Sequence, residues 1–122
     1  MARIYPFRAL RPSAEHASAV ASVPYDVGSR DEAKSLAGEE TRSYLHVTRP
    51  EIDLDDGVDA HSDEVYTAGR QALDRLVAEG VLVREDQPAL YVYELTMDAH
   101  VQSGVVMLAS VADYDRNLVR KH

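Results

Sequence analysis

From Ser62 to Glu79 apolar residues recur at spacings of three and four: Val65, Ala68, Ala72, Leu73, Leu76 and Val77. That period predicts an amphipathic helix, the longest in the chain. Asp63 and Glu64 suit its positive first turn, and Gly80 ends it. A second helix is marked by Ser29 and Glu32, a capping box, with Ala33, Leu36 and Ala37 as its buried stripe and Gly38 as a left-handed stop. A short third begins at Pro12-Ser13, with Ser13 as N-cap and a weak face of Ala14, Ala17, Val20 and Ala21. Between these two, "SVPYDV" is extended, because the residue before a proline avoids the α region.

A period of two appears elsewhere. In Tyr44–Thr48, Leu45 and Val47 point one way and Tyr44, His46 and Thr48 the other, which predicts a strand over 43–48. Arg49 precedes Pro50 and stays extended; residues 51–60, acidic around Gly57, read as a loop. Ile4 to Leu10, interrupted by Pro6, reads as an edge strand or arm. "VLV" at 81–83 is extended. Ala89–Met97 alternates, and Ser103–Val111 is apolar on both faces, as in a central strand. Roughly five residues around Asp98-Ala99-His100 would join them as an antiparallel hairpin. "ADYDRN" is a turn or one helical turn, and "LVRKH" starts a further strand. The expected fold is α+β: a mixed or mostly antiparallel sheet of strands near 4–9, 43–48, 89–97 and 103–111, packed with two to three helices. It would be a single domain over 1–122, or the incomplete N-terminal fragment of a longer protein.

Composition narrows the function. The 122 residues suffice for one core, and 45% hydrophobic with 28% charged residues is a globular balance rather than a disordered one. Without cysteine there is no disulfide or thiolate metal site, which agrees with a cytoplasmic protein. The first residues lack the apolar run of a signal peptide, and no stretch is long enough to cross a bilayer. The net charge of −8, with Lys34 and Lys121 as the only lysines, argues against nucleic acid as a partner. Tyr91 and Tyr93 could stack bases, but core packing suits them better here.

Most familiar motifs are absent. None of His16, His46, His61, His100 and His122 has the spacing of a zinc pair. "DLDDGVDAHSDE" fails as a calcium loop: with Gly57 sixth, Ile52 and Leu54 occupy the first and third ligand positions. It reads as a solvated acidic loop. There is no phosphate-binding glycine loop and no nucleophile elbow. What remains is His46 with Arg49 and Glu51. Arginine presents a fork of donors matched to phosphate or carboxylate, histidine donates or carries a proton, and Glu51 would hold the arginine. The plainer reading, an ion pair at a strand end, stands beside it. The period of two even sends Arg49 to the side opposite His46 unless the chain twists at Pro50.

"LRPS" at 10–13, "VPYDV" at 23–27, "LHVTRPEIDL" at 45–54, "YVYELTM" at 91–97 and "VADYD…VRKH" at 111–122 occur in this order. Together they resemble the bacterial and archaeal domain-of-unknown-function family 1015 over essentially the whole chain. Val23 departs from the family's more usual proline. The resemblance implies that this is the N-terminal third of a longer protein. The family's later Asp-Gly-His-His-Arg run, similar to the ParB and sulfiredoxin superfamily with its nucleotide-dependent small-molecule kinases and nucleotidases, lies outside this sequence. It implies an enzyme acting on a small phosphorylated metabolite or nucleotide, with a small anionic ligand as partner. In that scheme His46 is the catalytic donor or proton relay and Arg49 the anion clamp. Glu51, Tyr25 and Asp26 are further pocket residues, with Glu51 or Asp26 orienting a group or holding magnesium. No cofactor is assigned. The alternative is a non-catalytic structural or protein-interaction module. In either case an exposed sheet edge, or a surface left by a missing C-terminal region, would favour a homo-oligomer.

Overall fold

In the computed structural model, which describes residues 1–120, the chain is α+β. Its elements run β1 (Ile4–Tyr5), β2 (Leu10–Pro12), α1 (Ala17–Val20), α2 (Arg30–Ala37), α3 (Leu45–Thr48), a 3-10 turn (Pro50–Asp53), α4 (Asp63–Ala78), β3 (Leu82–Arg84), β4 (Tyr91–Met97), β5 (His100–Val106), β6 (Leu108–Ala109) and α5 (Val111–Asp115). They form two compact units. One is Arg11–Val83; the other is Met1–Leu10 together with the chain from Arg84 onward.

The helical unit holds the apolar core. α2 starts as its residues require: the Ser29 hydroxyl accepts from the Glu32 amide at 3.2 Å, and the Glu32 carboxylate accepts from the Ser29 amide at 2.6 Å. Two orphan donors of the first turn are thus satisfied. Ala33 and Ala37 pack with Leu45, Ile52 and Val23. α4 buries Val65, Gly69, Ala72 and Leu76 on one stripe. Leu76 is fully buried, worth about 1.5–3 kcal/mol by area. α3 and the 3-10 turn pack on α4. They come close because Gly69 has no side chain: a Cβ there would lie 3.1 Å from the Val47 carbonyl oxygen and 3.2 Å from Pro50 Cγ.

The other unit is made of short antiparallel pairings. β1 pairs with β6 (Ile4 opposite Ala109), and β4 pairs with β5 from Tyr91 opposite Val106 to Met97 opposite His100. Phe7 bridges Ala89 by two backbone hydrogen bonds. Tyr91 fastens this corner: its hydroxyl donates to the Phe7 carbonyl and accepts from the Ala9 amide, each at 2.9 Å, and its ring meets Phe7 edge-on at 5.1 Å. Arg3 and Asp113 tie the start of the chain to α5.

Several expectations are corrected. Residues 43–48 are not a strand; Leu45–Thr48 is a helical turn. The Thr48 amide and hydroxyl both reach back to the Tyr44 carbonyl, and the Tyr44 amide pairs with Val20 instead of a neighbouring strand. A helical turn lets adjacent Leu45 and His46 both enter the interior, which a strand forbids. The single four-stranded sheet is replaced by three two-stranded ones, β1 with β6, β2 with β3 and β4 with β5. The hairpin turn is two residues, with Asp98 at φ 53, so β5 begins at His100 and is exposed along its length rather than central. Leu36 is 60% exposed, so α2 buries only its alanines. Ser13 does not cap a helix; its carbonyl accepts from the His16 amide in a turn, and α1 starts four residues on. No strand forms at Leu118–Arg120. Lys121 and His122, the end of the "VRKH" match, lie outside the described residues.

Candidate functional site

His46, Arg49 and Glu51 lie on α3 and the turn that follows it, where Pro50 sets the first φ of the 3-10 turn. This compact path buries all three at least partly. The His46 ring has Nδ1 at 2.7 Å from an Asp53 carboxylate oxygen and Nε2 at 3.1 Å from the Glu40 carbonyl oxygen. It joins the loop after α2 to the end of the 3-10 turn. The neighbouring Glu40 carboxyl is held below its usual range by hydrogen bonds from Arg42.

Arg49 is engaged through two of its three guanidinium nitrogens. Its Nε donates to Glu51 Oε1 at 2.6 Å, and its Nη1 donates to the carbonyls of Tyr25 at 3.1 Å and Gly28 at 3.3 Å. The loop "PYDV" turns at Pro24–Val27 and is pinned from below by this guanidinium. Tyr25 is left largely exposed, and Asp26 stands in the exposed turn beside it.

Glu51 and Tyr25 meet in a cleft of about 490 Å³ lying along α4. Val47, Pro50, Val65, Gly69 and Leu73 give it apolar surface; Tyr25, Tyr66, His61 and Arg70 add aromatic and polar groups. Tyr66, Arg70 and Leu73 follow one another at four and three residues, so they share a face of the helix. Arg70 pairs with Asp74 at 2.9 Å, one turn further on, both well exposed. Such a pair is worth only about 0.3–0.5 kcal/mol and yields readily to a better partner. Glu51 differs. Its side chain is 11% exposed, Arg49 holds Oε1, and among the described residues Oε2 makes no hydrogen bond yet is not sealed from solvent.

The structure therefore brings Tyr25 and Glu51 into one cleft, places Arg49 behind them as their anchor, and leaves His46 and Asp26 out of its lining. Sequence reasoning missed His61, Tyr66, Arg70 and Leu73. The available signal was Gly69: glycine inside a helix costs about 1 kcal/mol relative to alanine, so a packing reason was to be sought there. Among the described residues no three His, Asp or Glu side chains gather as a metal set, and no helix is long and apolar enough to cross a membrane. A family model described as a protein of unknown function (DUF1015) matches residues 4–122. No curated protein and no solved structure matches the chain.

Proposed function

The chain belongs to the DUF1015 family of unknown function, and from that premise we propose that it is the N-terminal fragment of a larger, cytoplasmic, ParB/sulfiredoxin-like enzyme acting on a small phosphorylated metabolite. In this reading the cleft along α4 is where this part meets the substrate. One observation carries it: an apolar-walled recess that holds a fixed carboxylate, Glu51, together with Arg70 and His61. Arg70, held only by an exposed pair, is the cation able to turn to an anion. Arg49 and His46 keep supporting roles: one holds Glu51 and the Tyr25 loop, the other holds Asp53. Titrating the protein with glycerol phosphate in a calorimeter tests the reading. Arg70→Ala should weaken binding about tenfold, while Arg116→Ala, in the other unit, leaves it unchanged. Equal affinity in all three proteins would remove Arg70 from the site.

A second reading, a non-catalytic protein-interaction module that forms homo-oligomers, is favoured by one feature. The β4–β5 hairpin exposes Val92, Tyr93, Leu95, Met97, Val101 and Val105. A chain whose only role is self-association binds no phosphate ester, so the same titration separates the two readings.

A further inference from the structure

We infer that the ligand of the α4 cleft carries a hydrogen-bond donor of its own, a hydroxyl or an amine, which the free oxygen of Glu51 accepts. This rests on the cleft being the ligand site, as proposed above, and adds what kind of phosphate ester fits it.

Glu51 is 9% exposed as a residue, yet its carboxylate is only half used. Oε1 receives the Arg49 guanidinium at 2.6 Å; Oε2 has no hydrogen-bond partner among the described residues and remains reachable from solvent. An ionised carboxylate only accepts. It cannot receive a phosphate oxygen, which is also an acceptor and of like charge. It rejects an apolar group as well, because covering Oε2 without a donor leaves a nearly buried acceptor unmet. Being reachable from solvent, Oε2 can be met by water, and a ligand O–H or N–H is what replaces a water without loss.

Arg49 makes this preference firm. With Nε on Glu51 and Nη1 on the carbonyls of Tyr25 and Gly28, it fixes the carboxylate to the loop that brings Tyr25 into the lining. Glu51 therefore cannot swing out to solvent without giving up a partly buried ion pair. Arg49 is a positioning residue here, and Glu51 selects.

Three phosphate monoesters of similar size test the inference on the full chain: glycerol phosphate, 2-aminoethyl phosphate and propyl phosphate. A bond to a charged acceptor separates donor-bearing ligands from the donor-free one by at least about tenfold. Glycerol phosphate or 2-aminoethyl phosphate should thus bind more tightly than propyl phosphate by that factor, and whichever does identifies the donor. In Glu51→Gln, whose folding is checked by thermal melting, the three should converge. Should that variant fail to fold, the comparison on the unaltered protein still decides. Equal affinity for all three esters overturns the donor requirement and leaves the cleft as a phosphate-ester site. Binding of none overturns the cleft reading and this inference with it.

Discussion

Asp113 is the most deeply buried ionisable side chain described, 1% exposed, in a unit that buries no apolar side chain to the same degree. Arg3 donates to it from its backbone amide, Nε and Nη2 at 2.9, 3.0 and 3.1 Å, and Arg116 adds a further donor. These hydrogen bonds, Arg3's first, hold the Asp113 carboxyl well below the usual carboxylate range. The unfolded chain then takes up a proton at Asp113 before the folded one does. Its contribution is complete above the ordinary aspartate pKa of about 4 and fades as the pH falls below it. Asp113→Asn should lower the melting temperature clearly at neutral pH, and the gap to the unaltered protein should narrow by pH 3. Parallel melts at both values check this; a gap that stays constant would show that the ionised form brings no stability of its own.

At the level of elements, the capping box of α2 is a local device with a local cost. Ser29→Ala removes the acceptor for the Glu32 amide and should destabilise the helical unit by about 0.5–2 kcal/mol in urea unfolding. Ser62→Ala is the control. Ser62 occupies the same position before α4, but its hydroxyl makes no cap bond, so a loss as large as that of Ser29→Ala would argue against capping as the cause. The same contrast explains what could be read from sequence. α2 was legible because a capping box and a glycine stop bracket its eight residues, and α4 because its period runs over sixteen residues to a glycine stop. α3 was not. "LHVT" is too short to separate a period of two from one of 3.6, and its β-branched Val47 and Thr48 lean towards strand. Contact with α4 across Gly69 decided the matter. The Arg49–Glu51 pairing followed from two residues of spacing, whereas the cleft did not. Its lining comes from Tyr25, from 47–51 and from 60–73, and only tertiary packing brings those stretches together.

Across the whole molecule, apolar residues are divided unevenly. Every buried apolar side chain described, from Val20 to Leu82, belongs to the helical unit. The β4–β5 hairpin of the other unit exposes its apolar residues on both faces, with Val92 opposite Val105 on one and Leu95 opposite Gln102 on the other. Natural edge strands are usually guarded by lysine, proline or a bulge. Residues 91–106 contain no lysine, arginine or proline, and the β4–β5 register runs without a bulge. This chain should therefore self-associate through the hairpin as its concentration rises from micromolar to millimolar, which sedimentation velocity would detect. Each copy carries a net charge of −8, so long-range repulsion opposes the encounter. Added salt screens that repulsion, and association should strengthen with it. Val101→Lys places a guarding charge on the exposed β5 strand and should shift the equilibrium towards monomer by about tenfold or more. If association instead weakens in salt while Val101→Lys has no effect, ion pairs elsewhere on the surface hold the copies together and the hairpin is not the contact.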